Sequence, residues 1–141
     1  MANSDKSQNN RNPEIILSAD QVARMTAIAE SAINKNPALI HRLFGEISRA
    51  QIVQPDDIPA DVIKIGSCVT YRDELTSVER TVTLVFPEEA DITNRRVSVL
   101  TPIGVALLGL SIGSEFYWDT RENQRRMLVV TKVSPSTYNS T

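Results

Sequence analysis

The seven residues Pro55-Asp56-Asp57-Ile58-Pro59-Ala60-Asp61 set the organisation of the whole chain. Proline has no backbone N–H and clashes with the preceding helical turn, so two prolines and three carboxylates here cannot continue a helix. The segments on either side also follow different hydrophobic periods. A fold with two units joined at residues 55–61 is the expectation.

Ahead of this linker the apolar residues recur at helical spacing. Ile15-Ile16-Leu17 is a short apolar run ending at Ser18, and Ser18 with Gln21 has the spacing of a capping box. Val22, Met25, Ile28, Ala29 and Ala32 then form one stripe. Asn34-Lys35-Asn36-Pro37 interrupts it, with Asn36 suited to cap a helix and Pro37 to its first turn. Ile40, Leu43, Phe44 and Ile47 form a second stripe that runs to about Gln51. Two short helices with facing stripes and a tight polar link make an antiparallel hairpin over residues 15–54.

Beyond the linker, residues 62–135 read as an antiparallel sheet closed by one short helix, which makes the chain α+β. Cys68–Arg72, Thr81–Phe86, Arg96–Leu100, Glu115–Trp118 and Met127–Val133 are rich in β-branched and aromatic residues. Val82, Leu84 and Phe86 alternate with Thr81, Thr83 and Val85, as a half-buried strand requires. Thr101-Pro102 resembles a helix start, and Ile103–Leu108 is a short apolar helix. Gly109 suits the left-handed stop position, with Leu110 folding back onto the helix. Residues 1–14 read as a disordered polar leader and 136–141 as a tail.

Charge narrows the function classes. Fifteen basic residues against seventeen acidic ones give a net charge of -2, without the basic surplus of a protein that grips phosphate backbones alone. No direct, sequence-specific nucleic-acid binding is expected. No stretch approaches the ~18–20 apolar residues of a membrane span. One cysteine, Cys68, permits no intrachain disulfide. A cytoplasmic protein is the simple reading.

Catalytic groups are scarce. The single histidine, His41, lies within the second helix, and one His with one Cys cannot build a zinc site without carboxylates. Cys68 falls on a strand and reads as a packed thiol. The five glycines make no phosphate-binding pattern. Glu88-Glu89-Ala90-Asp91 is a loop-borne acidic run, read as solvated surface. Arg95-Arg96, Arg121, Arg125 and Arg126 are basic pairs near turns, suited to an acidic helix of a partner or to edge positions that discourage aggregation. No catalytic residue, cofactor or metal is expected, and the chain reads as a non-enzyme.

Three segments together resemble the Gre/Rnk group of transcription factors: Leu84–Asp91, Ser98–Gly109 and Ile112–Glu115. Arg49–Ile52, Pro59–Val62 and Val69–Asp73 look closer to the Rnk branch than to GreA. The likeness runs from about Ile15 to Val133, and the string Thr101–Leu110 carries most of its specificity. It implies a helical hairpin followed by an FKBP-like sheet domain that docks at the rim of the RNA polymerase secondary channel. Asp91, Thr101, Pro102 and Ile103 correspond to the group's contact surface, and Thr101 and Pro102 also serve as a helix cap.

Gre factors carry paired carboxylates at the hairpin tip, which hold a metal ion for transcript cleavage. The tip expected here, Asn34-Lys35-Asn36, has none; asparagine is a poorer Mg²⁺ ligand and lysine repels the ion. The helices are also shorter than Gre hairpins. The resemblance therefore implies a monomeric, polymerase-binding regulator that competes with Gre factors without stimulating cleavage. The Rnk branch takes its name from regulation of nucleoside diphosphate kinase. His41 has neither the setting nor a phosphate loop for that kinase's own chemistry. The alternatives are a Gre-type factor assisting cleavage and an adaptor docking another protein through the hairpin stripe. Prolyl isomerase activity is not expected, because Tyr71, Phe86, Phe116, Tyr117 and Trp118 read as core or edge residues.

Overall fold

The computed structural model describes residues 14–119 and 124–135. The polar leader up to residue 13, Arg121 and the tail from residue 136 lie outside the described residues. Strand β1 (Ile16–Ser18) leads directly into helix α1 (Ala19–Ala32), and helix α2 (Pro37–Arg49) leads into β2 (Gln51–Val53). The apolar run before Ser18, read as a prelude to the helix, is therefore a strand. It pairs in parallel with β2, Leu17 facing Ile52, and so ties the start of α1 to the end of α2.

The cap expected at Asn36 forms, its side-chain oxygen accepting from the Leu39 N–H at 3.4 Å with Pro37 next in line. The capping box expected from Ser18 and Gln21 does not. Ser18 donates to the Asp20 carboxylate instead. Gln21 turns across the molecule, donating to the Ile65 carbonyl and accepting from the Ile65 N–H, both at 3.1 Å. Ile65 is buried, so its peptide groups have little access to water. Gln21→Ala should cost about 2 kcal/mol by leaving both unpaired. Urea denaturation checks it; an unchanged midpoint would mean that water replaces the amide.

The main sheet runs β5-β4-β3-β7-β6: β3 (Ser67–Asp73), β4 (Glu79–Val85), β5 (Arg96–Ser98), β6 (Glu115–Asp119) and β7 (Arg125–Pro135). All five strands fall where β-branched and aromatic residues concentrate. The expectation of a purely antiparallel sheet is corrected at one edge, where β5 runs parallel to β4. Two 3₁₀ turns, Pro87–Glu89 and Ile92–Asn94, carry the chain back so that it re-enters in the same direction. Strand β7 lies between β3 and β6, but Arg125 and Arg126 pair only with β6, beyond the residues of β7 that meet β3.

One sheet face is apolar. Val69 faces Val82, and Leu128 faces Phe116. The opposite face carries Thr70 and Thr81, whose hydroxyls meet at 2.8 Å. Helix α3 (Pro102–Leu107) joins the apolar layer, and α2 packs against α3. A single hydrophobic cluster thus includes Met25, Ala29, Ile40 and Leu43 from the helices with Val69, Leu84, Leu107 and Val130 from beyond the linker.

Gly109 joins these layers. Its φ of +83° is the left-handed conformation expected after α3. Its N–H donates to Ile63 at 2.9 Å while its carbonyl accepts from Ile16 at 3.1 Å. A Cβ there would stand 2.7 Å from the Ile15 Cβ. Glycine thus meets a close approach as well as a backbone requirement.

Candidate functional site

The residues expected to contact a partner lie at two ends of β5. At the start of the strand, Asp91 and Arg96 exchange backbone hydrogen bonds at 2.9 and 3.0 Å. The half-buried Asp91 carboxylate accepts from the Asn94 amide at 2.7 Å, and the Arg96 guanidinium lies 3.9 Å away. Asp91 is thus held by its own loop, whose next residue, Ile92, is 90% exposed.

At the other end, the Thr101 hydroxyl donates to the Ser98 carbonyl at 2.7 Å and accepts from the Gly104 N–H at 3.1 Å. This is the helix cap read from the sequence, with Pro102 exposed at the first position and Ile103 half-buried. The turn Ile92–Asn94 and the three-residue strand β5 separate Asp91 from Thr101, and the two side chains are not bonded to each other.

The helix tip bears Asn34, Lys35 and Asn36, all exposed. The N–H groups of Lys35 and Asn36 both reach the Ala32 carbonyl, closing the turn. Glu30 stands on the last turn of α1, exposed and without an acidic companion at the tip. Glu46 is bound to Arg49 at 2.7 Å, nine residues into α2 and roughly 14 Å from its start at 1.5 Å per residue. Among the described residues no three His, Cys, Asp or Glu side chains group as a metal site. His41 is exposed, and Cys68 is half-buried rather than fully packed.

The acidic run before β5 has a partner that the sequence did not reveal. Glu88 pairs with Arg24 of α1, and the Arg24 guanidinium lies 3.8 Å from the centre of the Phe86 ring. Both charges are about half exposed, so the pair contributes under ~1 kcal/mol and mainly orients α1 on the sheet. Sixty-four residues separate the two, beyond any local signal.

A cleft of about 520 Å³ opens on the apolar sheet face beside Ile103. Tyr71 and Trp118, read from sequence as core or edge residues, line it with Asp73, Arg80, Arg126 and Leu128. Burial pushes the Tyr71 hydroxyl above its usual range, keeping it a neutral donor. Arg126 donates to the Asp73 carboxylate at 2.7 Å. Burial raises the Asp73 carboxyl, but the Leu75 and Thr76 N–H groups and the Arg126 cation outweigh it, so its pKa is lowered from 3.8.

A carboxyl held below its unfolded value contributes stability above that value and loses it as pH falls through the folded one. Asp73→Asn should therefore lower stability at pH 7 and narrow the difference between pH 7 and pH 3. Urea midpoints at the two pH values measure this. An unchanged difference would remove Asp73 from the acid response.

The family description "Transcription elongation factor, GreA/GreB, C-term" matches residues 58–135, and "Rnk N-terminus" matches residues 13–53. The chain is 32% identical over 107 residues to "Regulator of nucleoside diphosphate kinase" of Escherichia coli (strain K12), covering 76% of this chain and 79% of that protein. It is 39% identical over 92 residues to "Transcription elongation factor GreA" of Rickettsia felis, covering 65% of this chain and 57% of that protein. A solved structure, "Prokaryotic transcription elongation factor GreA/GreB from Nitrosomonas europaea", superimposes with a TM-score of 0.69 at 29% identity. That match covers 87% of this chain and 99% of that one. With a mixed helix and sheet architecture, a Rnk-type N-terminus and a GreA/GreB C-terminal region spanning more than half its length, the chain belongs to the GreA/GreB family.

Proposed function

We propose that this chain is a transcription regulator that binds RNA polymerase at the rim of the secondary channel and does not stimulate transcript cleavage. In this reading residues 15–54 form a stub of helical hairpin, 55–61 a linker and 62–135 an FKBP-like docking domain. Asp91, Thr101, Pro102 and Ile103 make the contact, and the protein works as a monomer.

The observation that carries the proposal is the exposed tip Asn34-Lys35-Asn36. Assisted cleavage needs a divalent cation held at the tip, and hard cations require several anionic or carbonyl oxygens. Glu30 alone offers one carboxylate, and Lys35 opposes the charge. The helices of fourteen and thirteen residues extend about 20 Å at 1.5 Å per residue, which further limits reach. The relatives are by name a regulator and elongation factors, which supports a non-enzymatic role. No helix among the described residues is long and apolar enough to cross a membrane.

The test is competition with a Gre factor for core RNA polymerase on stalled elongation complexes. The chain should displace the Gre factor and reduce 3′-end cleavage. Failure to bind polymerase at micromolar concentration would defeat the docking reading; faster cleavage with the chain alone would defeat the non-cleaving one.

A further inference from the structure

We propose that the uncovered end of the apolar sheet face is a docking groove for an acidic protein segment anchored by a bulky apolar side chain. The groove exists because α3 is too short. Six helical residues span about 9 Å, whereas the seven residues of β3 span roughly 23 Å. Val105 and Leu107 of the helix share the buried cluster with Val69 and Leu84, and the cleft opens beside Ile103 in the helix's first turn.

Strand register fixes what the uncovered end presents. Tyr71 pairs with Arg80, Asp73 with Leu128, and Trp118 with Arg126, all on the continuation of the buried face. The floor is therefore apolar beside Ile103 and charged towards its mouth. Asp73 is already matched by Arg126. Arg80 is exposed and has no ion-pair partner among the described residues, so within this cleft it is the cation left to recognise a carboxylate.

A second depression of about 370 Å³ adjoins the first, and Arg80 lines both. Exposed Ile92 and Arg95 lie in the second, as does Glu79. Two depressions sharing one cation suit an extended polypeptide better than a compact small molecule. The charge pattern selects an acidic one. Of the residues assigned to polymerase contact, only Ile103 lines the cleft, so peptide recognition here is separable from polymerase docking.

Short random peptides displayed and selected against the intact chain should converge on Leu, Ile or Phe beside Asp or Glu. Trp118 is the only tryptophan, so a tryptophan-free selected peptide should change its emission on titration. Arg80→Glu should weaken that peptide about tenfold, while Arg42→Glu on α2, outside the cleft, should not. Replacing the peptide's acid by lysine should produce the same loss on the unaltered protein, which answers the case in which Arg80→Glu disturbs folding. Selection of nothing, selection of peptides without acids, a silent Trp118, or indifference to both charge reversals would each overturn the proposal.

Discussion

Gly104→Ala should destabilise the protein by about 3 kcal/mol and lower the melting temperature by roughly 10 °C. Helix propensity alone gives the opposite sign, because alanine is favoured over glycine in a helix by about 1 kcal/mol. Here an added Cβ would stand 2.3 Å from the Ser98 carbonyl oxygen and 2.9 Å from the Val99 Cα. These are backbone atoms, and the same carbonyl accepts the Thr101 hydroxyl that starts α3. Relief requires α3 to lift from β5, opening the core around Val105 and Leu107.

Gly45 is the internal control. It lies exposed on α2 with nothing within 4 Å of a built Cβ. Gly45→Ala should stabilise by about 0.5–1 kcal/mol. Thermal melts of the two variants decide the matter: equal signs would mean that the close approach at Gly104 is absent in solution.

Leu43→Ala should cost about 3–4 kcal/mol, the usual loss when a fully buried leucine leaves a cavity. Leu43 on α2 is 0% exposed and belongs to the cluster that also holds Leu107 and Val130. The loss should therefore reach the sheet as well as the helices. Helical ellipticity and Trp118 fluorescence should report one shared transition, displaced together to lower denaturant. If Trp118 kept its original midpoint while the helices melted early, the helices and sheet would be independent folding units, and the segment at residues 55–61 would be a flexible joint.

The same cluster bears on the proposed docking. A helical pair sharing its core with the sheet, with Gln21 holding Ile65 and Arg24 holding Glu88, projects its tip at a set angle. A short tip then reaches only where the sheet domain aims it. This is why the acid-free turn at Asn34-Lys35-Asn36 and the surface at Asp91 and Thr101 belong to one functional reading.

Local physics made much of this legible from the chain alone. Helical periodicity, the Asn36 and Thr101 caps and the left-handed Gly109 depend on neighbours within a few residues. Runs rich in β-branched and aromatic residues marked all five strands of the main sheet for the same reason. Tertiary structure decided the parallel entry of β5, the use of Gln21 as a clamp rather than a cap, and the cleft between Tyr71, Arg80 and Trp118. It also decided that a side chain at Gly104 would meet backbone atoms while one at Gly45 would meet open space. Each of these depends on atoms that are distant in sequence or on which strands become neighbours. Propensity and spacing carry no record of what will lie against a side chain once the sheet has formed.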